Sequence, residues 1–215
     1  MKRKLLLLCI LLLLQGSYCL VFAQHIDTLV LPTPNKKGGM PLLETLNLRH
    51  SSRQFSDKAL SMDQLSSLLW AANGINRPES GKRTAPTARN YQDMDVFVFM
   101  AQGVYKYDAI RHVLVLLQKE DHRKATGMQD FVQNAALNLV LVSDLSKMKD
   151  TPDEARVLYA GVHAGCIVQN VYLWCASEGL NTVTRASFDA TSLAKLLNLS
   201  GSQKVVMAQT VGYEP

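Results

Sequence analysis

The sequence predicts an α+β domain, and three stretches predict it. Residues 95–100 (Asp-Val-Phe-Val-Phe-Met) read as a strand, Gln102-Gly103 as a tight turn and residues 104–107 as the hairpin partner, so two strands pair antiparallel. Residues 137–142 (Leu-Asn-Leu-Val-Leu-Val) read as a second strand buried on both faces or nearly so. Residues 152–177 read as the longest helix, apolar around much of its circumference from Val157 to Ala176, and a helix that is hydrophobic all round is buried. Its stripe of Ala160, Gly161, Ala164 and Gly165 lets another backbone approach closely, in the core or at a subunit interface.

At the start of the chain, Lys2-Arg3-Lys4 and the apolar run 5–14 have the charged and hydrophobic regions of a secretory signal. Val21-Phe22-Ala23 then places cleavage between Ala23 and Gln24, which implies an exported, periplasmic or secreted protein that is off the membrane once cut. An uncleaved membrane anchor is the alternative, since residues 5–23 are only just long enough to span a bilayer, although Gln15, Gly16 and Ser17 interrupt the apolar run. Residues 1–23 hold three basic and no acidic residues, so their removal takes the formal net charge from +5 to +2. No Lys/Arg-rich run with interleaved aromatics remains, which argues against nucleic acid as a partner. Cys9 and Cys19 leave with the signal. Cys166 and Cys175, nine residues apart on one helix, point to opposite faces, so no disulfide is expected within the chain. His25, His50, His112, His122 and His163 lack ligand spacing, so no metal site is expected either.

About 190 residues then remain, enough for one domain with a sizeable core. Residues 24–39, rich in Pro, Lys and Gly, read as an extended arm, and 40–215 as the domain. A short helix follows Pro41, with Leu42, Leu43 and Leu46 expected to face inward. Ser61-Met62-Asp63-Gln64 is a capping box, and Leu65, Leu68, Leu69 and Ala72 recur at helical spacing until Asn73-Gly74 stops the helix. Residues 75–91 lack periodicity and read as loop; 113–117 are short and ambiguous. Residues 121–134 read as helix, with Met128 and Phe131 as ordinary core residues in preference to the lining of a pocket. Beyond the long helix, 181–186 read as strand or extended loop, Asp189 opens a helix through Leu197, and 204–211 form a last strand.

Between the first two helices lies Arg49-His50-Ser51-Ser52-Arg53-Gln54-Phe55. Two arginines with a histidine and two hydroxyls make an anion cradle, because the arginine fork matches phosphate oxygens and short hydroxyls complete the oxyanion's hydrogen bonds. A solvated loop is the plain alternative. There is no Gly-x-Gly-x-x-Gly after a strand, no Walker-type loop, no Gly-x-Ser-x-Gly elbow and no His-Glu-x-x-His helix. Nor is there a convincing set of acid, base and nucleophile. A cofactor enzyme needs none, since its protein supplies position and electrostatics.

The 49–55 run resembles the opening Arg-x-Ser-x-Arg/Lys-x-Phe signature of the nitroreductase-like flavin oxidoreductases. Three further segments are similar to that family in the same order. They are Pro86-Thr87-Ala88-Arg89-Asn90-Tyr91-Gln92, Ala164-Gly165-Cys166-Ile167-Val168-Gln169-Asn170 and Glu178-Gly179-Leu180-Asn181-Thr182. The resemblance, which reaches the azoline dehydrogenase branch, implies a central, mostly antiparallel sheet flanked by helices, with a long buried helix at a dimer interface. It implies FMN as cofactor, hydride chemistry at the flavin N5 with no catalytic side chain, a small nitroaromatic, quinone or similar substrate, NAD(P)H as donor, and a homodimer.

Residue by residue, the resemblance assigns Arg49, His50, Ser51 and Arg53 to the phosphate, ribityl chain and pyrimidine edge. Asn90 contributes its amide to the ring, and Pro86, Thr87 and Ala88 come from the same loop. Arg185, Ala186 and Ser187 wrap the ring edge, the backbone of Ala186 lying near N5. Many members carry a basic pair shortly after the last strand; here the sequence runs Gly212-Tyr213-Glu214-Pro215, which places more of the phosphate charge on Arg49 and Arg53. A secreted protein that holds flavin or another phosphorylated ligand without turnover is the alternative.

Overall fold

The computed structural model describes residues 27–215. The expected signal segment 1–23, its cleavage point, Cys9, Cys19 and His25 lie outside the described residues. Seven strands form one sheet in the order β1-β6-β5-β4-β7-β9-β8, with every neighbouring pair antiparallel. They are β1 (Thr28–Val30), β4 (Met94–Met100), β5 (Gly103–Asp108), β6 (Val113–Gln118), β7 (Leu137–Asp144), β8 (Asn181–Arg185) and β9 (Gln203–Gly212).

The two-residue period of a strand decides how the layers stack. Val96 and Val98 of β4 and Leu139 and Leu141 of β7 face one side, where they meet Leu65, Leu68 and Leu69 of α2 (Met62–Asn73) and Ile167 and Val171 of α4 (Asp153–Glu178). The intervening Phe97, Phe99, Val140 and Val142 face the other side and pack on Leu193 and Leu197, in and just after α5 (Ala190–Leu196). Helices therefore cover both faces of the central strands, which is why β7 is buried at nearly every position. The Ser61–Gln64 capping box starts α2, and Gly179, in the left-handed conformation at φ 67°, ends α4.

Several elements differ from the sequence expectations. Residues 28–30 form β1, which pairs with β6, and this settles 113–118 as strand. Residues 75–91 contain a small hairpin, β2 (Ile75–Arg77) with β3 (Lys82–Arg83), and a 3-10 turn at Ala88–Asn90. No alternation marked that hairpin because tertiary groups hold it: Trp70 Nε1 donates to Ile75 O, and Arg83 Nη1 donates to Asn73 O.

Residues 121–134 do not form one helix. A 3-10 turn at Arg123–Thr126 is followed by extended backbone at Gly127 and a short α3 (Phe131–Asn134). The break falls where the Arg185 guanidinium takes the Thr126 carbonyl and hydroxyl as acceptors. Met128, expected in the core, is exposed.

The helix after Pro41, α1 (Leu42–Leu48), forms as expected, yet Leu42, Leu43 and Leu46 are exposed and only Thr45 is buried. The long helix is also less covered than its composition suggested. Val157, Leu158 and Val162 are exposed, while Ile167, Val168, Val171 and Cys175 are buried. Among the described residues, nothing buries this side of α4.

Candidate functional site

The 49–55 loop connects α1 to α2 and lies along the outer edge of β8. Its backbone stays open enough to pair: Ser52 N–H donates to Thr182 O at 3.1 Å, and Ser56 N–H donates to Tyr213 O at 2.9 Å. Asn181 Nδ2 donates to Gln54 O at 2.9 Å. Phe55 anchors the loop, buried against Ala135 and Val183. The motif's one large apolar residue is thus the nail, and the polar residues before it are left outward.

Tyr172 of α4 gives this loop its polarity. Its hydroxyl accepts the Thr184 N–H at 3.0 Å, and an amide can only donate, so the tyrosine proton is free to go to Ser51 Oγ, 2.8 Å away. Ser51 then keeps its own hydroxyl hydrogen for an outside acceptor. The Arg49 guanidinium lies 5.3 Å from the centroid of the Tyr172 ring, a cation–π placement that steadies the side chain without neutralising it. His50 Nδ1 is 2.9 Å from Leu48 O and donates to it. Among the described residues neither Arg49 nor Arg53 forms an ion pair, and Arg53 is exposed. Two uncompensated cations and a free hydroxyl proton suit a phosphate.

The 86–90 segment is the second piece. Arg89, Asn90 and Gln92 all have left-handed φ, at 48°, 56° and 47°. Residues with a Cβ hold that conformation only when their surroundings impose it. Here Thr87 Oγ1 accepts the Gln92 N–H at 3.0 Å, the Gln92 amide reaches Gly81 O at 3.1 Å and Asn90 Oδ1 at 3.3 Å, and Arg83 Nε donates to Gln92 Oε1 at 3.0 Å. The Ala88 N–H donates to Nε2 of His163 at 2.8 Å. That ring donates in turn through Nδ1 to Asp93 Oδ1 at 2.7 Å, and Ser143 Oγ donates to Asp93 Oδ2 at 2.6 Å. Pro86, Thr87 and Ala88 rim a cleft of about 330 Å³ with Leu158, Tyr159, Val162, His163 and Cys166 of α4.

The third piece follows β8, and it changes one assignment. Arg185 does not face outward with its neighbours. It is buried, and its guanidinium donates to Asn138 Oδ1 at 2.7 Å, to Thr210 Oγ1 at 2.8 Å and to Thr126. All of these acceptors are neutral, so desolvation lowers the arginine's pKa to about 10. Strand alternation explains the placement, since Val183 and Arg185 share a face and both point inward. Its side chain is committed to the protein, which leaves Ala186 and Ser187 of this group for a ligand. Both are exposed, and the Ala186 N–H has no partner among the described residues.

The structure does not gather all the assigned residues at one place in a single chain. Tyr172 holds the 49–53 loop near β8, whereas His163 holds the 86–90 loop. Nine helical residues separate these anchors, which is about 13.5 Å along the axis and half a turn around it. The two loops therefore attach to opposite sides of α4. Asp93, Tyr172 and the positioning role of His163 escaped the sequence: a histidine and a tyrosine in an apolar helix look like core, and their partners are 70 and 121 residues away.

Comparison with known proteins agrees with this architecture. Residues 46–213 match the model of the nitroreductase family. A candidate nitroreductase of Methanocaldococcus jannaschii is 27% identical over 183 residues, covering 80% of this chain and 91% of that protein. A crystal structure of a candidate nitroreductase from Ralstonia eutropha superposes with a TM-score of 0.83 at 40% identity, covering 87% of this chain and 90% of the other. A Desulfovibrio desulfuricans structure in complex with FMN has the same fold, with a TM-score of 0.59 at 20% identity over 82% of this chain and 88% of that one. The all-antiparallel sheet, the long helix behind it and the match from α1 to the end of β9 lead to one conclusion: this chain belongs to the nitroreductase family.

Proposed function

We propose that the protein is an exported, homodimeric, FMN-dependent oxidoreductase that passes two electrons, as hydride, to or from a small organic substrate such as a nitroaromatic or a quinone. The observation that carries this is the 49–53 loop: Arg49 and Arg53 without acidic partners, beside a Ser51 hydroxyl whose proton Tyr172 leaves free. Bound FMN supplies the two-electron redox chemistry at its N5. The chain's own residues hold it. Arg49, His50, Ser51 and Arg53 would hold the phosphate end and pyrimidine edge, Asn90 would offer its amide, Pro86, Thr87 and Ala88 would line the ring, and the unpartnered Ala186 N–H, with the Ser187 backbone beside it, would be the donor offered to N5. NAD(P)H is the donor proposed from the family. Export, with the mature chain beginning at Gln24, rests on the charged and apolar start of the sequence.

A two-fold assembly reconciles the loops. The 86–90 loop of one protomer would complete the 49–53 site of the other, and the same contact would cover Leu42, Leu43 and Leu46 of α1 with Val157, Leu158 and Val162 of α4. Apolar patches of this kind mark interaction sites. Val162→Glu is therefore expected to give a monomer by sedimentation velocity and to weaken FMN binding with it. A parent protein that remains monomeric over a wide concentration range with FMN bound would contradict this.

Turnover separates an oxidoreductase from a flavin carrier. Protein-bound flavin, reduced anaerobically by NAD(P)H or dithionite, should be reoxidised by a nitroaromatic or quinone faster than free reduced FMN. Reoxidation no faster than that of free FMN would instead mark a carrier.

A further inference from the structure

The buried Asp93–His163 pair is used neither by the fold's apolar core nor by the proposed flavin contacts, and it sits where the strained 86–92 loop meets α4. Its two residues are among the most enclosed polar groups in the protein, with Asp93 0% and His163 2% exposed. Their hydrogen bonds allow one arrangement of protons. The Ala88 amide can only donate, so Nε2 of His163 carries a lone pair; Nδ1 carries the proton and donates it to Asp93, whose other oxygen accepts from Ser143. The ring is therefore neutral with this loop in place. Protonating Nε2 sets one N–H donor against another at 2.8 Å, with Asp93 retaining the Nδ1 side.

We propose that Asp93 and His163 are positioning residues that latch the 86–90 loop, and that the latch opens when His163 takes a second proton. Its consequence for the cofactor rests on the FMN assignment above. The loop is suited to release because Arg89 and Gln92 hold left-handed backbone against their preference. The ionisable groups facing the ring are Asp93 before β4, Tyr159 of α4, whose ring stacks on it at 6.0 Å and 16°, and Cys166 of α4 in the same cleft. Arg89, the charge on the loop itself, is exposed. A proton on Nε2 and the hydrogen bond it accepts from the Ala88 N–H exclude each other. Opening of the loop resolves the conflict, since a freed Nε2–H can then turn to water.

Amide exchange of the full chain without flavin tests the latch independently of the cofactor. Between about pH 7.5 and about pH 5, the range in which histidine changes charge, Ala88 should lose its protection beyond the intrinsic pH effect, while β4 and β7 amides keep theirs. His163→Gln places an untitratable carbonyl where Nε2 accepts, and in it, or in Asp93→Asn/His163→Gln if the single change leaves the carboxylate unsatisfied, Ala88 protection should not depend on this range. FMN affinity measured by fluorescence quenching should fall by about tenfold or more over the same interval in the parent and much less in the Gln variant. Ala88 protection that is unchanged in the parent, or lost together with that of β4 and β7, would overturn the latch. Release of Ala88 with a pH-independent FMN affinity would uphold the latch and overturn instead the placing of this loop at the flavin.

Discussion

Arg49→Ala and Arg53→Ala should each weaken FMN binding by about 10- to 150-fold, because a charge-assisted contact to phosphate contributes roughly 1.5 to 3 kcal/mol. The fold should survive either change. Arg53 is exposed, and Arg49 touches the protein chiefly through the Tyr172 ring, so neither side chain supports the core. Riboflavin, which lacks the phosphate, should bind the variants nearly as it binds the parent. Titration of each variant with both ligands makes the comparison internal, since damage to the ring site would lower both affinities together. Equal losses for FMN and riboflavin, or no loss for FMN, would remove the two arginines from the phosphate.

Arg185→Ala should act in the opposite way, on stability. Removal of this side chain strands the Thr126 carbonyl, leaves Asn138 Oδ1 and Thr210 Oγ1 with fewer donors and opens a cavity between β8 and the 123–127 turn. A loss of about 2–5 kcal/mol is expected from lost hydrogen bonds and cavity together, read from urea denaturation. Gly127→Ala attacks the same place from the other side. A Cβ there would clash with Arg185 Nη1, an overpacking expected to cost about 1–3 kcal/mol. Arg185→Lys separates structure from ligand binding, because lysine cannot reach all of these acceptors. It should lower the denaturation midpoint while sparing FMN affinity at temperatures where it is folded. A variant of parental stability with weakened FMN binding would return Arg185 to the cofactor.

What could be read from the sequence follows from how local its causes are. The capping box of α2, the β4–β5 hairpin and the buried β7 depend on residues within a few positions of one another, and the structure has all of them. The 49–55 loop was legible for the same reason: its arginines and hydroxyls are contiguous. Elements held by distant partners were not. The β2–β3 hairpin depends on Trp70 and on the reach of Arg83 to Asn73, and the break at Gly127 depends on an arginine 58 residues further along that nothing nearby announces. Apolar spacing predicted the buried face of α2 correctly and that of α1 incorrectly. The rule identifies which side chains seek cover without saying whether their own chain provides it. At the site, composition indicated an anion and the family resemblance indicated a flavin, but the direction of each hydrogen bond came from long-range pairs. Tyr172 with Thr184, His163 with Asp93 and Arg185 with Thr126 each join segments whose proximity only the folded chain creates.

The claim that the 49–53 loop, the 86–90 loop and the end of β8 make a flavin site is tested most directly by the visible absorption spectrum of the purified protein incubated with FMN and freed of excess ligand. A flavin spectrum at about one FMN per chain, reduced in Arg49→Ala and Arg53→Ala, is the predicted result. A colourless protein that retains no FMN at any concentration tried would contradict it.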